Sequence, residues 1–172
     1  RFALDTPAQL APTAELSLNG IATGSIAATG EYFYVTRPPS YADKADNDAG
    51  LYILDIKSPT TITVSGFMAQ RVNTVAVQSH YAFIGRADDG LHSFDLTAPR
   101  LPREVGQYHT LATSGWGDLV TQGHMLYTTG GYLATPILST IDLHNPAEPS
   151  LTQIFTGADW NAFYPFIDDD WL

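Results

Sequence analysis

Short apolar runs, each closed by Gly, Pro, Asn or Asp, recur along the whole chain. The clearest series begins at residues 72–77 (VNTVAV), which suit a strand, and turns at Gln78-Ser79-His80. Residues 81–85 (YAFIG) form a second run, and Ala87-Asp88-Asp89-Gly90 a second turn. Residues 91–95 (LHSFD) and 104–108 (EVGQY) complete a set of four. Tyr, Phe, Val and Ile dominate these runs, and such side chains fit a pleated, half-buried surface. The same order returns at 25–28, 32–36, 51–55 and 61–67, and again at 118–121, 125–128, 138–142 and 151–155. No stretch of ten or more residues carries an apolar period near 3.6, so the pattern predicts essentially no helix.

One phrase ties the series together. It is an apolar strand ending in Asp, then a proline turn, then another strand. It reads FALD at 2–5, LYILD at 51–55, LHSFD at 91–95 and LSTID at 138–142. The spacing of about 40–50 residues, built of short strands, is that of a β-propeller blade. Three copies continue as D-x-x-x-P, at Asp55/Pro59, Asp95/Pro99 and Asp142/Pro146. An Asp there accepts backbone N–H groups just downstream, and Pro fixes φ and ends ladder pairing. These aspartates are therefore read as turn formers and not as catalytic carboxylates.

The expected fold is all-β: one domain over residues 1–172, a propeller of four-stranded antiparallel blades, with three complete blades and two partial ones. The chain opens on the last two strands of one blade and closes at 160–172 (WNAFYPFIDDDWL) on the first strand, and the start of the second, of another. Joined, these parts leave most of one strand and its turn unfilled. The expectation is thus an arc of a larger propeller, with a closed four-bladed ring as the alternative.

The phrases at 51–59 (LYILDIKSP) and 138–149 (LSTIDLHNPAEP) resemble the LVIVD repeat. The segment 160–172 is also similar to the last-blade entry of the choice-of-anchor B branch. The resemblance implies a bacterial propeller that is exported to the periplasm, the cell surface or the medium.

Composition narrows the partners. Net charge is −10, from 8 basic and 18 acidic residues. Such a surface repels phosphate backbones, which argues against nucleic acid and against an anionic membrane face. No apolar run reaches the ~18 residues of a transmembrane segment. With no Cys, the chain has no disulfide, thiolate nucleophile or Cys-ligated zinc. With 14 Gly, 11 Pro, 44% hydrophobic and 15% charged residues, the profile is that of a turn-rich folded protein.

In a propeller the innermost strand lines the channel, and the loops that enter it face one end. Aligning the copies puts Ser25, Thr74 and Asp118 at one point near the start of that strand. Arg71, Asn73, His109, Trp116, Asp159, Trp160 and Asn161 lie nearby in sequence. Small polar groups with two Trp could bind a sugar, an organic acid or a peptide at the channel mouth. The plainer reading is that they hydrate the channel.

The enlarged loop at 37–50 (RPPSYADKADNDAG) carries Asp43, Asp46 and Asp48, oxygen donors that suggest Ca²⁺. It lacks the EF-hand order and a bidentate acid, so a solvated acidic loop is the simpler account. The five histidines (His80, His92, His109, His124 and His144) show neither H-x-H nor H-x-x-x-H spacing, hence no local metal motif. His109 falls on the favourable face, with no partner visible in sequence.

No nucleophile elbow, phosphate loop or dinucleotide fingerprint is present. The expected function is an extracytoplasmic binding or assembly module, without catalysis of its own. Its partner would be a protein, the subunits of a larger assembly, or further blades of the same polypeptide. The alternative is a propeller enzyme with its site at the channel mouth, a metal-assisted hydrolase, lactonase or lyase.

Overall fold

The computed structural model describes residues 14–17, 24–39, 48–86, 89–109, 116–130 and 137–156. The expected opening and closing strands lie outside these residues. Twelve strands are present among them, in three antiparallel sheets of four. Blade 1 is β1 (Ile26–Thr29), β2 (Tyr32–Arg37), β3 (Gly50–Asp55) and β4 (Thr63–Ala69). Blade 2 is β5 (Thr74–Gln78), β6 (Tyr81–Arg86), β7 (Gly90–Asp95) and β8 (Arg103–Tyr108). Blade 3 is β9 (Trp116–Gln122), β10 (Met125–Gly130), β11 (Ile137–Asp142) and β12 (Ser150–Thr156). Each sheet pairs in chain order, as a propeller blade does. No helix occurs among the described residues, as the pattern predicts.

Blades pack face to face through their apolar side chains. One core joins blades 1 and 2 through Tyr34, Leu51, Ile53, Val75, Ile84 and Phe94. A second joins blades 2 and 3 through Phe83, Leu91, Leu119, Leu126 and Ile141. Along β6, Ala82 and Ile84 serve the first core while Phe83 between them serves the second. A strand buried on both faces has no reason to alternate, and this is why YAFIG reads as an unbroken apolar run. The inner strands β1, β5 and β9 lie side by side.

Three local devices repeat in every blade. The first is the hairpin between the inner two strands. Gly30, Ser79 and Gly123 take its first position with φ of 55°, 54° and 58°. That value fits a two-residue II′ turn, whose twist matches the flanking strands. The second is the Asp turn. Asp55, Asp95 and Asp142 accept the N–H of Lys57, Thr97 and His144 at 3.0, 2.7 and 2.8 Å. The structural reading of these aspartates is thereby met.

The third is a register shift between the two outer strands, at Ile53/Leu54, Ser93/Phe94 and Thr140/Ile141. One extra residue on the outer strand (Ser65, Val105 or Thr152) makes a bulge that adds twist. In blades 1 and 3 its hydroxyl donates to the carbonyl opposite, Ser65 to Ile53 at 3.1 Å and Thr152 to Thr140 at 2.9 Å.

Candidate functional site: the loop face and the channel mouth

Hairpin register confirms that Ser25, Thr74 and Asp118 are equivalent. Each lies four residues before the inner-strand residue next to the hairpin (Thr29, Gln78 and Gln122), which pairs with Tyr32, Tyr81 and Met125 respectively. Their chemistry differs. Ser25 Oγ donates to the Val75 carbonyl at 3.2 Å and accepts the Val75 N–H at 3.3 Å. It therefore stitches the start of β1 to β5, fifty residues on. Thr121 Oγ1 likewise donates to the Val77 carbonyl at 3.4 Å, joining β9 to β5. Thr74 is only 2% exposed and sits inside the packing, not on an open channel wall. Asp118 is half-buried, and burial pushes its carboxyl above the usual range.

Thr36 organises this end of blade 1, and nothing in the sequence singles it out. It is fully buried, accepts the Ser25 N–H at 2.8 Å and lies within hydrogen-bonding reach of the Asn73 carbonyl at 3.0 Å. Asn73 thus acts through its main chain, which also donates to the Gly85 carbonyl at 3.0 Å. Arg71 is exposed beside it. Trp116 opens β9. Asp159, Trp160 and Asn161 lie outside the described residues, as do Asp43 and Asp46 of the acidic loop. Asp48 is exposed, and its carbonyl accepts the Tyr52 hydroxyl at 2.9 Å.

Among the described residues, a dense charged group on this face lies in blade 2. Gly90, at φ 112°, opens β7 where a side chain would collide with the Tyr108 carbonyl. That close approach brings the turn before β7 against the end of β8. His109 Nδ1 then lies 2.8 Å from the Asp89 carbonyl and 3.2 Å from Asp89 Oδ1. His109 has a partner after all, twenty residues back, and only the sheet pairing reveals it.

The second carboxylate oxygen of Asp89 lies 3.4 Å from Arg86 Nη1 and 3.3 Å from His92 Nε2, the latter off the hydrogen-bonding direction. His92 itself is 2% exposed, with Nδ1 2.9 Å from Glu104 Oε1. One buried imidazole is thus bracketed by two carboxylates, with a guanidinium and a second imidazole on the Asp89 side. The sequence marks no shared site at Arg86, Asp89, His92 and Glu104, because their spacing matches no recognisable motif.

Strand order, blade packing and the repeated turns define a β-propeller repeat protein, whose described residues form an arc of three blades. The sequence profile described as the LVIVD repeat matches residues 20–74 and 69–110, more than half of the chain. The chain belongs to the LVIVD-repeat family. Blade 3 lies beyond the matched residues and keeps the same strand order, with one added register shift between β9 and β10. Among solved structures, the crystal structure of the computationally designed Ika4 protein is similar, with a TM-score of 0.59 at 9% identity. The match covers 85% of this chain and 80% of that one, and it speaks to fold alone. No curated protein matches. Among the described residues, no helix is long and apolar enough to cross a membrane.

Proposed function

We propose that this chain is a binding or assembly module that acts outside the cytoplasm and recognises a protein partner. The contact face is the loop end of blade 2, around Arg86, Asp89 and His109. The observation that carries this reading is the use made of Ser25. Its hydroxyl is committed to the Val75 main chain, so a channel-mouth group that could have met a ligand instead joins two blades. At the loop end of blade 2, His109 and Asp89 lie open beside each other. Residues of this kind steer encounter and fix register in protein interfaces. The extracytoplasmic setting rests on the resemblance to exported propellers.

A catalytic reading draws on one observation, the imidazole of His92 held between Glu104 and Asp89. Paired carboxylates about a histidine suit proton transfer.

Native purification from the source organism separates the two. A binding module is expected to co-purify with a protein partner. Asp89→Asn combined with His109→Ala should weaken that complex on the order of tenfold or more, as loss of central polar contacts does. Recovery as a free chain that turns over lactone or ester substrates, with turnover abolished by His92→Gln, would contradict the proposal.

A further inference from the structure

The face opposite the loops carries a group that neither the family match nor the proposed function uses. In each blade the inner hairpin touches the Asp turn through one backbone bond. Ile56 N–H donates to the Glu31 carbonyl, Leu96 N–H to that of His80, and Leu143 N–H to that of His124, at 2.9, 2.7 and 2.7 Å. This fixed bond holds three side-chain positions together. Blade 1 fills them with Glu31, Asp55 and Lys57, and Lys57 Nζ lies 3.2 Å from Glu31 Oε2. Blade 2 fills them with His80, Asp95 and Thr97. Blade 3 fills them with His124, Asp142 and His144.

In blade 3 the scaffold that holds an ion pair in blade 1 holds two imidazoles. Their ring centroids are 3.6 Å apart. Asp142 Oδ1 accepts the His144 N–H at 2.8 Å and lies 2.8 Å from His144 Nδ1. That contact holds the His144 ring beside the Asp142 carboxylate. One donor atom from each of the three residues lies within 4.8 Å of the others.

We propose that His124, Asp142 and His144 bind a divalent first-row transition-metal ion, with Zn²⁺ as the reference. Two imidazoles and one carboxylate are the donors such ions favour, whereas Ca²⁺ and Mg²⁺ require oxygen. Zn–N and Zn–O bonds near 2.0–2.2 Å need the donors to close in slightly. His124 and His144 are both exposed, so side-chain rotation supplies this. Three protein donors leave a fourth position for water or for a donor from another molecule. The hairpin–turn backbone bond recurs in all three blades, so the site is prepared by the fold. Sequence spacing hides it, because His124 and His144 belong to turns on different strands.

Zinc titration of the purified chain at neutral pH tests this by calorimetry. The wild type should bind one equivalent saturably. His124→Ala and His144→Ala should each weaken that equivalent at least about tenfold, since even outer-shell changes at metal sites cost 10–100-fold. His80→Ala should leave it intact. Circular dichroism establishes that the variants are folded. Thr97→His completes the same set beside His80 and Asp95 and should add a second equivalent. Absence of saturable Zn²⁺ binding, or wild-type affinity in both His124→Ala and His144→Ala, would overturn the proposal.

Discussion

Ser79 holds φ at 54°, where the other two blades place glycine. An L residue with a side chain is strained there, by about 1 kcal/mol or more. Ser79→Gly should therefore raise the melting temperature, whereas Gly123→Ala should lower it, as thermal unfolding will report. The turn aspartates give a pH dependence. Backbone N–H donation, from Lys57 to Asp55, Thr97 to Asp95 and His144 to Asp142, holds all three carboxyls below their ordinary values. Their contribution is fully present above the unfolded value and is lost as pH falls through the lowered folded values. Acid titration followed by circular dichroism should show stability falling below about pH 4, less steeply in Asp95→Asn. Asp118 has the opposite sign. Burial raises its folded value, so the ionised form costs stability at neutral pH, and Asp118→Asn should be more stable there. The turn role of the aspartates was legible because D-x-x-x-P states local chemistry. The partner of His109 was not, because Asp89 reaches it only through the pairing of β7 with β8.

Strands were the most legible elements. The two middle strands of each blade are largely buried, and apolar runs with turn residues at each end mark them. The structure extends most by a residue or two, for example β9 to Trp116 and β12 to Thr156. The bulges were not legible, since an extra residue on one strand depends on the register of its neighbour. They matter for blade packing. Just after the bulge, Gly66 faces the Arg100 carbonyl, where a Cβ would lie at 2.7 Å. Gly106 faces the Ala147 carbonyl still more closely. Both carbonyls belong to the Asp turn of the next blade, and glycine lets that turn seat closely. Gly106→Ala should destabilise by about 1–3 kcal/mol, the usual cost of forcing atoms into a packed contact, measurable by denaturant unfolding. Blade 3 has Gln153, also exposed, at the equivalent register. A turn docked there at the same distance would meet its Cβ.

Across the whole molecule, repeat spacing made the architecture readable, since each blade has to bury its faces against neighbours. The use of the polar residues was less readable. Ser25 was expected at a channel mouth, where small hydroxyls can meet ligand, but the same hydroxyl can equally bridge two inner strands. Only the neighbouring blade's main chain decides between these, and here it takes the hydroxyl. The proposed recognition surface lies on loops whose chemistry varies between blades. Hydrogen–deuterium exchange of the chain, alone and with its co-purified partner, tests that claim most directly. New protection is expected at residues 85–91 and 107–109. Protection confined to the Asp turns at 55–60, 95–102 and 142–149 on the opposite face would contradict it.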